Sequence, residues 1–164
     1  MEVYLYEIEN PTDRSTRYYL SLLPHEVGFQ IGLPTEAVIG ELVDGPDHFE
    51  HEYFVQNDVF VTFLHHVIAK HVDACPGLVA EGQRQRNGYV YLIDSRTPTP
   101  DGAVPPEDII GVVEVEDGRL HSYRGSPKYQ LFAQSGLISL DPWLEERLID
   151  DLQALQQRTA PDGT

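Results

Sequence analysis

The sequence predicts an α+β fold: an antiparallel sheet of about six or seven strands, with a long central helix and a C-terminal helix packed on one face. Three observations carry this expectation. Short β-prone runs recur along the chain with turn-forming residues between them. Residues 57–74 repeat apolar side chains at three- and four-residue intervals, the period of a helical stripe. Residues 143–157 carry a second such stripe, through Trp143, Leu144, Leu148, Leu152 and Leu155.

In chain order, residues 2–9 alternate as a strand, and Asn10-Pro11-Thr12-Asp13 is a strong turn signal. Residues 16–23 then read as its hairpin partner. Val27, Phe29, Ile31 and Leu33 alternate with Gly28, Gln30 and Gly32, which reads as a period-two strand ended by Pro34. Residues 35–43 are ambiguous: Thr35 suits a helix cap, and Gly40 weakens helix and strand alike. Asp44-Gly45-Pro46 is a turn, and residues 47–52 form a short stretch of acids and histidines.

The central helix follows. Asn57 suits its N-cap, Asp58 suits the positive end of its dipole, and Pro76-Gly77 stops it. Its roughly 18 residues at 1.5 Å rise span about 27 Å. Residues 78–86 and 89–94 flank Asn87-Gly88, a strong hairpin signal because both turn residues tolerate positive φ. Residues 95–108 hold four prolines and read as an exposed loop. Residues 109–115 suit a central strand, returning through Asp117-Gly118 to 120–123. Ser126-Pro127 reads as cap and N1 of a short helix through Phe132, and residues 137–140 as a last short strand. Asp141-Pro142 opens the C-terminal helix.

The chain of 164 residues is expected to form a single domain over 1–158, with a flexible tail at 159–164. Its single cysteine excludes an internal disulfide framework. No apolar run approaches a membrane span and no signal peptide is visible, so the expected location is cytoplasmic. Net charge is −16. Residues 1–56 carry eleven acids against two bases, residues 57–100 four against four, and residues 101–164 twelve against five. Such a surface repels nucleic acid and anionic membrane and attracts a basic protein.

No P-loop, strand-to-helix GxGxxG, GxSxG, HExxH or EF-hand pattern is present, and no cofactor is expected. His65, His66 and His71 share no helical face, which favours boundary residues over metal ligands. Cys75 reads as a buried structural thiol. The best local cluster of ligand-type side chains is Asp47, His48, Glu50 and His51, with Glu52 beside it. It is read either as a partner or metal site or as a solvated acidic loop. Arg84 and Arg86, read as sharing a strand face with Gly82, and Arg96 nearby, are either an anion or partner site or simple pairs for surface carboxylates.

Three functions follow from these residues. The first is a non-catalytic protein-binding module, such as an inhibitor or immunity-type protein that neutralises a basic partner. The second is a metal-assisted hydrolase or small-molecule enzyme built on residues 47–51 and the helix histidines. The third is a self-associating domain that covers Tyr4, Tyr6, Tyr18, Tyr19, Tyr89 and Tyr91 in a homo-oligomer interface.

Overall fold

The computed structural model describes residues 1–98 and 102–159. Most of the tail expected at 159–164, and the middle of the proline-rich loop, lie outside the described residues. Strands are β1 (Tyr4–Glu9), β2 (Thr16–Ser21), β3 (Val38–Leu42), β4 (Phe54–Gln56), β5 (Gly88–Ile93), β6 (Ile109–Glu116), β7 (Arg119–Gly125), β8 (Phe132–Ala133) and β9 (Gly136–Leu137). Helices are α1 (His25–Ile31), α2 (Asp58–His71), α3 (Pro76–Gln85) and α4 (Pro142–Thr159). The class is α+β and every strand pair is antiparallel.

The single sheet expected from the sequence is instead three: β1-β2-β3-β4, β5-β6-β7 and β8-β9. Hairpin turns enforce pairing only between neighbours, and α2 and α3 together interrupt the chain between β4 and β5. The chain divides into two compact units: Met1–Phe63 with the segment from Ile149 on, and Leu64–Leu148.

In the first unit the β1–β2 hairpin pairs Tyr4 with Ser21 through to Glu9 with Thr16. The 10–13 turn is held by the Asn10 side chain, which accepts the Thr12 N–H at 2.9 Å. Residues 27–33, expected as a strand, belong instead to helix α1 and its exit. Over seven residues a period of two and a period of 3.6 overlap, because Val27 and Ile31 lie one helical turn apart. Tertiary contacts decide the outcome. Gly28 packs where a Cβ would run into the Tyr6 ring. The Gln156 amide donates to the carbonyls of Val27 and Gly32, 3.2 and 2.7 Å away, and so closes the helix end. Gly32 supports that exit at φ 105°. Tyr6, Leu20, Leu23, Ile39, Leu42, Phe60 and Leu152 are buried in this unit; each large side chain contributes about 1.5–3 kcal/mol by leaving water.

Helix α2 starts as expected. The Asn57 side chain accepts the Val59 N–H at 3.2 Å and donates to the Thr35 and Val38 carbonyls, both at 2.9 Å. After His71 the chain tightens to a 3₁₀ turn at Val72–Ala74. Pro76 does more than stop the run, because it is the first residue of α3.

In the second unit, residues 78–86 are therefore not a strand. Pro76 at N1 and the helix formers Ala80, Glu81, Gln83 and Gln85 favour α3, and Leu78 and Gly82 bury one helical face. Asn87-Gly88 joins α3 to β5 rather than strand to strand. The β6–β7 hairpin forms on Asp117-Gly118, with φ of 52° and 79°, and β6 is central in its sheet as expected. The helix expected from Ser126 is a turn, in which the Ser126 carbonyl accepts the Tyr129 N–H at 3.3 Å. Leu64, Ile68, Val90, Ile110, Val113, Leu131 and Leu144 are among the buried residues of this unit.

Candidate functional site

The first sheet builds a continuous surface on one face. Tyr6 pairs with Tyr19, Tyr19 with Glu41 and Glu41 with Val55, so one row crosses all four strands. Strand alternation adds Ile8 and Val43 to this face. At the α1 end the face is concave: Tyr6, Ile8, Tyr19, Gly28, Leu33 and Val38 line an apolar groove of about 300 Å³. The Tyr6 hydroxyl donates to the Leu23 carbonyl, which fixes the groove's inner wall.

At the β4 end the face becomes an acidic ledge. The Val43 N–H donates to the Tyr53 carbonyl at 3.0 Å, extending the β3–β4 ladder by one residue. The turn between them, residues 44–52, projects into solvent. Val43, Phe49 and Val55 are 56%, 50% and 57% exposed. The stretch from Glu41 to Asp58 carries six acids, Glu41, Asp44, Asp47, Glu50, Glu52 and Asp58, and no lysine or arginine occurs between Arg17 and Lys70. Arg17 reaches Glu41 at 3.9 Å. Large exposed apolar side chains in an acidic stretch form an arrangement suited to macromolecular docking.

Asp47, His48 and Glu50 are exposed on this ledge, and His51 is half-buried in the 3₁₀ turn that leads into β4. His48 lies 3.8 Å from Asp44 and tilts against the Tyr53 ring, with ring centres 5.1 Å apart. The ledge is thus ordered by local contacts. Among the described residues, no group of three or more histidine, cysteine, aspartate or glutamate side chains is arranged to hold a metal ion.

The arginines expected to act together are separated by their roles. Arg84 lies on helix α3 and pairs with Glu81 one turn earlier. Arg86 follows the helix in a γ-turn at φ 72°, ψ −52°, in which the Gln85 carbonyl accepts the Asn87 N–H at 2.9 Å. The Arg86 carbonyl accepts the Gly118 N–H at 2.8 Å, and the Asn87 side chain accepts the Asp117 N–H at 3.1 Å. This turn braces the β6–β7 hairpin.

Arg96 is buried, against the expectation of an exposed loop. All five of its N–H donors are used. Nε reaches Asp108 at 2.9 Å; Nη1 reaches the Leu131 and Gly136 carbonyls at 3.0 and 2.9 Å; Nη2 reaches those of Glu107 and Gln130 at 2.9 and 2.6 Å. Asp94 accepts the Tyr129 hydroxyl at 2.6 Å, the Arg96 N–H at 2.9 Å and the Ser139 N–H at 3.2 Å. Asp108 accepts the Thr97 and Ser135 hydroxyls at 3.0 and 2.6 Å. Burial raises the Asp94 carboxyl above its ordinary value, opposed by the Tyr129 hydroxyl and by Arg96. Burial also works to raise Asp108, but hydrogen bonds from Ser135, Thr97 and Arg96 outweigh it and hold that carboxyl below its ordinary value. No described buried side-chain polar atom lacks a partner. The cluster stitches β8, β9 and both ends of the proline-rich loop together, and it is closed to solvent.

His65 shares a 2.8 Å hydrogen bond with Tyr123. Burial lowers the imidazole pKa and raises that of the phenol, so both are neutral near pH 7. Cys75 is buried and free, and burial raises its thiol pKa, in keeping with a structural role. No described helix is long and apolar enough to cross a membrane. In comparisons with known proteins, the chain matches no family model, no curated sequence and no solved structure.

Proposed function

We infer that this protein is a non-catalytic binding module whose first-unit sheet face docks a basic protein, in the manner of an inhibitor or immunity-type protein. One observation carries the reading. Val43, Phe49 and Val55 stand exposed among six carboxylates, in a stretch with no lysine or arginine between Arg17 and Lys70. The apolar side chains supply area to bury at the centre of an interface, and the acids supply steering and register. The groove at Tyr6 and Tyr19 offers a second anchor point on the same face. The one cysteine, free and buried, suits a reducing compartment, and the cytoplasm is the proposed location. The metal-assisted alternative draws no support from the ledge geometry, where His48 is turned onto Tyr53 and Asp44.

The test is native mass spectrometry of untagged protein isolated from its source at low salt. The wild type is compared with a variant carrying Asp47→Asn, Glu50→Gln and Glu52→Gln. A control neutralises Asp73, Glu116 and Asp117. The expected result is a basic protein bound to wild type and control, lost from the ledge variant, and released as salt rises. A partner retained equally by all three, or a partner that is not basic, overturns the reading.

A further inference from the structure

The second unit carries a surface of opposite character. On the outer face of β5-β6-β7, cross-strand pairing aligns Tyr89 with Glu114 and His121, and Tyr91 with Val112 and Arg124. Tyr89 and Tyr91 are 53% and 59% exposed. Between Val113 and Glu114 the register shifts by one residue, leaving Ser122 as the extra residue of a bulge at φ 56°. Such a bulge bends its strand, and here the face is concave. One hollow of about 360 Å³ runs from Tyr89 past Glu114 to Arg124. A second, of about 300 Å³, is lined by Tyr91, Ile109, Val112, Arg124, Pro127 and Lys128. Both include Val112 and Arg124, so the two hollows adjoin there and together make a trough.

Two features of the trough point to its occupant. The hollow at Tyr91, Ile109, Val112 and Pro127 is walled mainly by aromatic and aliphatic groups, which suits apolar side chains rather than a small polar solute; the hollow at Tyr89 is the more polar of the two, with Glu114, Ser122 and Arg124 in its wall. Arg124 stands where the two hollows meet and Lys128 in the wall of the apolar one, and among the described residues neither makes an ion pair. Acids outnumber bases in this chain by 27 to 11, so the lack of an ion pair at either cation is not for want of acids. The trough is therefore apolar on the Tyr91 side, where Arg124 and Lys128 stand, and more polar on the Tyr89 side, where Glu114 stands.

We propose that this trough binds an extended acidic peptide segment of a partner protein, with a carboxylate at Arg124 and Lys128 and apolar side chains against Tyr91, Val112 and Ile109. An extended chain advances about 3.3 Å per residue and presents alternate side chains to one surface, which matches apolar contacts at Tyr91, Val112 and Ile109 set beside two cations. The net charge of −16 slows approach of an acidic ligand from a distance, so affinity comes from contacts inside the trough. This site belongs to the second unit and is independent of the ledge of the first.

Fluorescence anisotropy tests the proposal with a labelled octapeptide that alternates glutamate with leucine or tyrosine. Arg124→Glu with Lys128→Glu should weaken binding about tenfold or more, Arg124→Gln with Lys128→Gln about fivefold, and Tyr91→Ala about fivefold. A glutamine-for-glutamate peptide should bind wild type about tenfold more weakly. All these side chains are at least partly exposed, and circular dichroism checks that each variant is folded. The double reversal should leave retention of a basic partner by the first unit unchanged. No binding by wild type, equal binding by the reversal variant or the glutamine peptide, or tighter binding of an eight-nucleotide oligouridylate would each overturn the proposal.

Discussion

In the second unit, Arg96 lies buried with every N–H donor taken and two carboxylates beside it. In the first unit, the carboxylates from Glu41 to Asp58 stand on an exposed ledge among bare valines and a phenylalanine. The two regions place charge in opposite ways. A buried charge is tolerable only when its hydrogen bonds are complete. Completeness ties Arg96 to five main- and side-chain acceptors that are distant in sequence. The ledge spends nothing on burial, since water solvates its acids, and it keeps its field available to a partner. The first arrangement specifies structure; the second leaves interaction energy unused.

Perturbing each region separately sharpens that contrast. The largest expected effect is Arg96→Ala, which leaves Asp94 and Asp108 buried without their cation and removes one donor from each of four carbonyls, of which those of Glu107 and Leu131 keep a main-chain donor from Gln130 and Ile138. A loss of about 3–5 kcal/mol is expected from urea denaturation. Arg96→Lys should recover little of it, because an ammonium has three donors and no planar fork. Next comes Arg86→Gly. Relief of a positive-φ γ-turn should stabilise the protein by about 1 kcal/mol in the same assay. An unchanged midpoint would show that the turn stores no strain.

The pH response should also separate the two regions. His65 has a folded pKa below its ordinary value because of burial. The stability tied to its neutral form is complete above the unfolded value of about 6.5. It is lost as pH falls through that value toward the folded one, because the unfolded state binds the proton more readily. Asp108, held low by its hydrogen bonds, adds a further loss as pH falls below about 4. Thermal melts between pH 7 and 5 should therefore slope downward, and His65→Gln should flatten that slope. Smallest of all is the effect of Asp47→Asn, Glu50→Gln and Glu52→Gln on stability. It should stay within about 0.5 kcal/mol per site, even though binding of a basic partner is lost.

The same contrast explains what could be read in advance. The β1–β2 and β6–β7 hairpins, α2 and α4 were legible because their signals are local: a turn dipeptide, a cap, a stripe. Helices α1 and α3 were misread where short patterns fit both periods and distant contacts chose between them, as Gly28 against Tyr6 and Gln156 at the α1 end show. Arg96 was invisible as a structural node because its acceptors at Glu107, Gln130, Leu131 and Gly136 come together only in the fold. The proline-rich composition around it pointed instead to an exposed loop. Of the candidate site, the acidic stretch at 47–52 stood out in the sequence. Its apolar half did not, because Val43 and Val55 share a face only through the β3–β4 register.

The central claim is that the ledge and groove of the first unit form a docking face for a basic protein. The most direct test is amide chemical-shift mapping during titration with a peptide that alternates lysine and leucine. The account predicts saturable shifts centred on Val43, Asp47, Phe49, Glu50 and Val55, extending toward Tyr19 and diminishing as salt rises. Shifts scattered over every acidic surface, or centred on residues of the second unit, would contradict it.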